Sequence, residues 1–213
     1  MRWVTAAVGA VLPGRCPGCG RAAEPICPAC AAGLRTPPAL ATPAPLDGWV
    51  APFAYEGVAR EIVARVKYRN ERAALPWLAE AMAAALRERY PRGISSGPTV
   101  VTWAPASAGR RHRSGFDHAE LLARAVARRL GLPAFRLLTR DHGPPQTGRT
   151  RSGRQAGPSL RPAGGAARGR AVLLVDDVLT TGATLSAAAA ALRRAGALRV
   201  VALTAAATPP RRS

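Results

Sequence analysis

A chain of 213 residues has room for one ordinary α/β domain and a small appendage, and 48% hydrophobic content suffices for a core. The formal net charge of +19 is uneven: residues 99–170 hold 14 arginines against 3 acids, +11 over about a third of the chain, which suits polyanions such as pyrophosphate or nucleic acid. Coding biased toward arginine and alanine explains part of this, since Lys67 is the only lysine, and no run reaches the ~18 apolar residues of a membrane span, so an inserted membrane protein is excluded.

Trp3–Leu12 is apolar behind Arg2 and mimics a weak signal sequence. It is short, lacks a small-x-small cleavage site before Cys16, and reads equally as a first helix stopped by Pro13-Gly14. A cytoplasmic protein is therefore expected. The four cysteines of the chain follow as Cys16-x2-Cys19, seven residues, Cys27-x2-Cys30. Paired thiolates two apart on glycine-containing turns suit tetrahedral zinc, and two such pairs fill a closed structural site with no position left for water. Two disulfides would need an oxidising compartment, which nothing in the chain supports, and a redox Cys-x-x-Cys would not need a second copy. Structural zinc on Cys16, Cys19, Cys27 and Cys30 is the preferred reading.

Thr36–Pro45, rich in proline and alanine, reads as a linker, so the expected division is 1–46 for the knuckle and linker and 47–213 for the main domain. Trp49–Tyr55 looks like a strand. In Gly57–Arg69, Val58, Ile62 and Val66 share one helical face, and Lys67-Tyr68-Arg69 closes the helix where basic groups suit the dipole. Leu75–Tyr90 is an alanine-rich helix expected only to pack. Thr99–Ala104 is a candidate central strand that opens into Pro105-Ala-Ser-Ala-Gly-Arg-Arg-His-Arg-Ser-Gly-Phe-Asp117. Small residues there let backbone amides approach phosphate oxygens that arginine forks bind in pairs, so Ala106, Ser107, Arg110 and Arg111 are candidate pyrophosphate contacts. His118–Leu130 is a helix stopped by Gly131-Leu-Pro133. His112 and His118 lack a carboxylate partner by spacing and are left out of catalysis. Asp141–Gly169 fits no regular element; a loop of that length is either an active-site cover or a basic segment without fixed structure.

Ala171–Val175 is an unbroken apolar run, as expected of a central strand covered on both faces. Asp176 and Asp177 follow at its carboxyl end, where open α/β sheets bind ligands, and then Thr180, Thr181, Gly182, Ala183 and Thr184 lead into a helix that stops near Gly196. Arg199–Ala205 completes a βαβ unit and Pro209–Ser213 is a tail. A helix start behind a glycine-containing loop accepts a phosphate monoester on its unpaired N–H groups. The adjacent carboxylates repel phosphate but accept hydrogen bonds from sugar hydroxyls or order a hydrated Mg²⁺. Phosphate on one side and diol or metal on the other describes a ribose 5-phosphate.

The segment Val172–Thr184 resembles the phosphoribosyl pyrophosphate (PRPP) motif of type I phosphoribosyltransferases: a hydrophobic strand, two acids, then a Thr-Thr-Gly-Ala-Thr loop. With the cysteines, the Tyr55…Gly57…Lys67-Tyr68 region, Arg110…Arg113-Ser-Gly-Phe-Asp-His-Ala-Glu-Leu-Leu-Ala and Gln146-Thr147, nearly the whole chain resembles the ComF (competence protein F-like) family. Departures are mild at Ser114, Asp117 and His118. They are larger at Gly153, Gly157 and Leu160, where the family commonly has an acid, Asn and Phe. The resemblance implies an α/β fold with a type I phosphoribosyltransferase-like parallel sheet and flanking helices, plus a small N-terminal four-cysteine zinc knuckle.

It further implies that Asp176 and Asp177 contact the ribose hydroxyls directly or through Mg²⁺, and that Thr180, Thr181, Gly182, Ala183 and Thr184 grip the 5-phosphate. The loop Pro105–Arg111 takes the pyrophosphate. No residue is an obvious general base, so the acceptor is unidentified. PRPP binding with Mg²⁺, with transfer to an unknown acceptor and a link to competence and DNA uptake, is the first reading. A non-catalytic factor that binds single-stranded DNA beside a DNA-uptake helicase is the second, though Phe116 and Phe135 are few aromatics for a stacking platform. A transcription regulator that senses PRPP is a third.

Overall fold

The computed structural model describes residues 15–23, 26–37, 39–68, 74–106, 117–140 and 158–209. The expected first helix at Trp3–Leu12 and most of the tail lie outside them. At the centre runs β6 (Ala171–Leu179), paired in parallel with β3 (Thr99–Trp103) on one side and β7 (Arg199–Ala207) on the other. The outer edge of β7 carries β1 (Gly48–Val50) and β2 (Phe53–Ala54), both parallel to it. The sequence suggests one strand over Trp49–Tyr55; the break falls at Pro52, which has no N–H to give to a ladder. Beyond β3, Val101 and Ala134 form an isolated parallel bridge.

Alternation along the strands divides the core. Leu173, Val175, Val201, Leu203, Val101 and Trp103 face one side, where α2 (Gly57–Tyr68), α3 (Leu75–Arg89) and α4 (His118–Leu130) pack with Ile62, Val66, Leu78, Met82, Leu122 and Val126. Val172, Leu174, Val200 and Ala202 face the other side, covered by α5 (Ala183–Arg194). There Ala188, Ala189 and Ala191 are fully buried, so a helix poor in bulk seats close to the sheet and still buries Leu185 and Leu192. Each buried leucine contributes about 2 kcal/mol of transfer free energy. Both faces of β6 are thus dry, as its unbroken apolar run requires.

The boundaries of α4 follow from its ends. The Asp117 side chain accepts the Ala119 N–H at 3.1 Å, and Gly131 closes the helix with φ +66°. Two departures from the sequence reading concern connections. Residues 160–162, inside the stretch that fits no regular element, form β5 (Leu160–Pro162), antiparallel to β4 (Leu138–Arg140). Leu160 is 5% exposed and packs with Leu138 and Leu192 in the second core, a packing role that a three-residue strand hides from periodicity. The proline-rich linker is seated on the sheet rather than free: Trp49 Nε1 donates to the Leu40 carbonyl at 3.2 Å, and Leu46 is buried beside β7. Asp47 holds that seat by accepting the Val200 N–H at 2.6 Å and pairing with Arg193.

At the N-terminal side α1 (Pro28–Ala32) brings Cys27 and Cys30 back toward Cys16 and Cys19. The knuckle rests on α2. A Cβ at Gly18 would come within 2.9 Å of Val58 Cγ1, and one at Gly33 within 2.7 Å of Val58 Cγ2, so both glycines are needed for the close approach.

Candidate functional site

Asp176 and Asp177 extend β6 rather than end it, since the ladder to β7 runs on to Leu179 and Ala207. The register with β7 passes over Asp177 and resumes at Val178. Asp176 Oδ1 accepts the Asp177 N–H at 2.8 Å, which fixes the carboxylate against its own backbone. Asp177 Oδ2 lies 2.6 Å from Lys67 Nζ, with side-chain exposures of 19% and 17%, so the pair is largely shielded from water. Lys67 comes from the last turn of α2.

His118, the first residue of α4, is drawn into the same neighbourhood. Burial holds its imidazole below the usual value of 6.5, against the charges of Asp177 and Asp117, which pull the other way, and with that of Lys67. Sequence spacing gave no sign of this cluster, because its members lie on three elements. The signals available were a lone lysine in an arginine-rich chain and the place of Lys67-Tyr68 and Asp117-His118 in the resemblance described above.

Downstream, Thr180 and Thr181 are exposed, Gly182 is buried, and Ala183 and Thr184 are half-buried. Gly182 starts α5 with φ +79° and has no side chain to cap it; Thr181 Oγ1 accepts the Ala183 N–H at 3.4 Å. The helix start, with its positive dipole end, follows the carboxylates directly in the chain, an arrangement that suits an anion. A Cβ on Gly182 would come within 2.7 Å of Pro43 Cγ, so the seated linker backs the loop and glycine is required there.

Of the expected pyrophosphate contacts, Ser107, Arg110 and Arg111 lie outside the described residues. The Ala106 N–H donates to Asp117 Oδ2 at 2.8 Å. Asp117 thus ties the two ends of segment 107–116 together while capping α4, and it occupies the amide that Ala106 was expected to offer.

The cysteine sulfurs all lie within 4.8 Å of one another, with Cys16–Cys27 at 3.6 Å and Cys19–Cys27 at 3.7 Å. Sulfurs on a tetrahedral zinc, about 2.3 Å from the ion, stand about 3.8 Å apart, so the donor set fits. Burial raises the Cys16 thiol, but hydrogen bonds from the backbone of Cys27, Cys19 and Gly18 outweigh it and bring the group down to about 6. Burial and the surrounding sulfurs push Cys30 up to about 12. Four thiolates cannot share this space without a cation. The cluster can hold a metal ion and is consistent with a zinc knuckle.

Among the described residues, no helix is long and apolar enough to cross a membrane. Residues 117–213, a little under half of the chain, match the model of the phosphoribosyl transferase domain. No curated protein matches. Solved structures to which the chain is similar include an allosteric regulatory enzyme of purine biosynthesis, at 21% identity and TM-score 0.41 over 62% of this chain and 26% of that one. A phosphoribosylpyrophosphate synthetase from Mycobacterium smegmatis is similar at 22% identity and TM-score 0.39, over 61% of this chain and 33% of that one. A hypoxanthine phosphoribosyltransferase from Trypanosoma cruzi is similar at 15% identity and TM-score 0.36, over 64% and 78%. The chain thus spans about a quarter to a third of the length of the first two. Its parallel sheet with helices on both faces matches the type I phosphoribosyltransferase fold.

Proposed function

We propose that this chain binds PRPP with Mg²⁺ at the carboxyl edge of β6 and transfers the phosphoribosyl group to an acceptor, as a ComF-like protein divided into a knuckle segment, 1–46, and a phosphoribosyltransferase-like domain, 47–213. The observation that carries this reading is the direct succession of Asp176 and Asp177, a Thr-Thr-Gly turn and a helix start within the matched region. In this reading Thr180, Thr181, Gly182, Ala183 and Thr184 hold the 5-phosphate, which takes the Ala183 N–H over from Thr181 Oγ1. The carboxylates of Asp176 and Asp177 accept hydrogen bonds from the ribose hydroxyls. Ser107, Arg110 and Arg111 take the pyrophosphate, with Ala106 anchoring the loop that carries them.

The acids fit a Mg²⁺ ion held chiefly by substrate phosphates and waters, since carboxylates accept hydrogen bonds from the water shell that Mg²⁺ keeps. When bound, the ion neutralises charge on the pyrophosphate leaving group. In the transfer, the acceptor forms a bond to C1 of the ribose as the C1–oxygen bond to pyrophosphate breaks. The positive charge that develops on the ring oxygen sits near two carboxylates, and the negative charge that grows on the pyrophosphate sits near arginines. Zinc on Cys16, Cys19, Cys27 and Cys30 is structural in this reading, and the protein is cytoplasmic.

Calorimetry of PRPP with and without Mg²⁺, on the wild type and on the double variant Asp176→Ala with Asp177→Ala, tests the reading. Metal-dependent binding that disappears in the variant supports it; no binding to well-folded, metal-loaded wild type overturns it.

The net charge of +19 favours a second reading, contact with single-stranded DNA in competence and uptake, beside a helicase partner. It predicts binding that weakens steeply with salt and again when Arg110, Arg111 and Arg113 are neutralised.

A further inference from the structure

The segment that precedes the sheet touches α5 at both ends. At the helix start, a Cβ on Gly182 would stand 2.7 Å from Pro43 Cγ and 2.9 Å from Pro43 Cβ, so the pyrrolidine ring lies where any other residue would carry its side chain. Leu179 Cδ1, 3.7 Å from the same point, is the other neighbour, and Leu179 is buried in the second core. At the helix end the Asp47 carboxylate pairs with Arg193 and accepts the Val200 N–H at 2.6 Å, while the Asp47 N–H donates to the Val200 carbonyl at 2.9 Å. An exposed ion pair alone contributes little, but a carboxylate that also takes a strand N–H is anchored to the sheet itself. Between the two contacts the Leu46 N–H donates to the Pro43 carbonyl at 3.0 Å, a turn that fixes the reach from Asp47 to Pro43. Leu40 and Leu46, on either side of Pro43, pack into the second core.

We infer that Pro43 is a positioning residue of the phosphate loop: its ring braces Gly182 from behind, and the strap from Leu40 to Asp47 holds it there, so that residues 180–184 are ordered before a 5-phosphate arrives. The inference rests on the ribose-phosphate reading above and deepens it. A glycine takes up φ +79° without strain, but it leaves that conformation as readily, because no Cβ restricts it. Local bonds hold the turn weakly: Thr180 and Thr181 are exposed, and the bond from the Ala183 N–H to Thr181 Oγ1 is long at 3.4 Å. A ring packed against Gly182 removes the alternatives from outside. Proline suits the task, since its φ is fixed and its side chain has almost no rotamer freedom to lose on packing. A stretch that composition reads as a spacer thus places one of its rings as a wedge, and the phosphate site extends to residues upstream of β1 that offer the ligand no atom.

The test is PRPP binding with Mg²⁺ on full-length, metal-loaded protein: wild type, Pro43→Gly, Asp47→Ala and the double variant Pro43→Gly with Asp47→Ala. Melting temperature and near-UV circular dichroism check that each variant is folded, and Pro43→Ala, which removes only the outer part of the ring, stands in for Pro43→Gly if the latter is not. The expected result for Pro43→Gly is a loss of affinity of about 5- to 30-fold, the factor for ordering one more backbone residue at the moment of binding. Asp47→Ala loses affinity in the same direction, and the double variant binds no more weakly than Pro43→Gly, because Asp47 acts through Pro43. Amide hydrogen exchange supplies the readout that a merely stabilising proline would not move. In Pro43→Gly, exchange quickens in the peptide covering residues 180–186 while the strands 171–175 and 200–205 keep their protection, and saturating PRPP returns the loop to the wild-type rate. Wild type that binds PRPP with Pro43→Gly binding equally well overturns the inference alone, as do additive losses in the double variant or exchange that quickens evenly over the sheet. Wild type that does not bind PRPP overturns the ribose-phosphate reading and this inference with it.

Discussion

Replacing Asp117 by alanine removes two hydrogen bonds from one nearly buried carboxylate. The side chain is 5% exposed, caps α4 through Ala119 N–H at 3.1 Å and holds Ala106 N–H at 2.8 Å. Loss of an N-cap costs about 1 kcal/mol. The Ala106 N–H is then left in a partly buried place without its charged acceptor, which costs a further ~1–3 kcal/mol. The sum is about 2–4 kcal/mol, which for a chain of this size corresponds to a fall in melting temperature of roughly 4–16 °C. Asp117→Asn retains one acceptor oxygen for the cap and loses the other, so it should lose about half as much. Urea unfolding of the three proteins, with an unchanged m-value, measures the difference. A loss in Asp117→Ala no greater than the cap alone, about 1 kcal/mol, would refute the claim that this carboxylate also closes segment 107–116.

Three further outcomes follow from the same geometry. Gly182→Ala places a side chain at φ +79° against Pro43, so it should cost about 1–2 kcal/mol for the left-handed backbone alone and abolish phosphate binding, read by thermal melting and calorimetry. Burial depresses the His118 imidazole in the folded chain below the 6.5 it has when unfolded, so the unfolded chain takes up the proton first on acidification. Stability from this group is fully present above pH 6.5 and is lost as pH falls toward the folded value; His118→Gln should flatten that slope in urea titrations, and an unchanged slope would sink the assignment. Removing metal with a chelator, or substituting Cys27→Ser, should release one equivalent of zinc and lower the melting temperature, because the support under Val58 of α2 goes with it. Metal analysis and differential scanning calorimetry check both parts.

Local chemistry made much of this molecule legible in one dimension. The βαβ unit around β6, the start of α4 at a capping aspartate and its stop at Gly131 need only the neighbours along the chain, because apolar runs, caps and left-handed glycines act over a few residues. The four-sulfur cluster was legible likewise, because both cysteine pairs fall in one short stretch of chain, Cys16–Cys30. The acids and the Thr-Thr-Gly-Ala-Thr loop were readable for the same reason: a strand end, a turn and a helix start are contiguous.

What the tertiary structure decided is which distant groups meet them. Lys67 and His118 reach Asp177 only because α2 and α4 pack on the same face of the sheet as Leu173 and Val175, a choice made by burying Ile62, Val66, Leu122 and Val126 together. Pro43 stands behind Gly182 because Asp47 pins the linker to β7. The β4–β5 ribbon exists because Leu138 and Leu160 complete the second core over α5. Composition and periodicity report what a segment prefers by itself. The charge that faces a carboxylate, and the backing of an anion loop, are properties of the packing, which brings together residues more than a hundred positions apart.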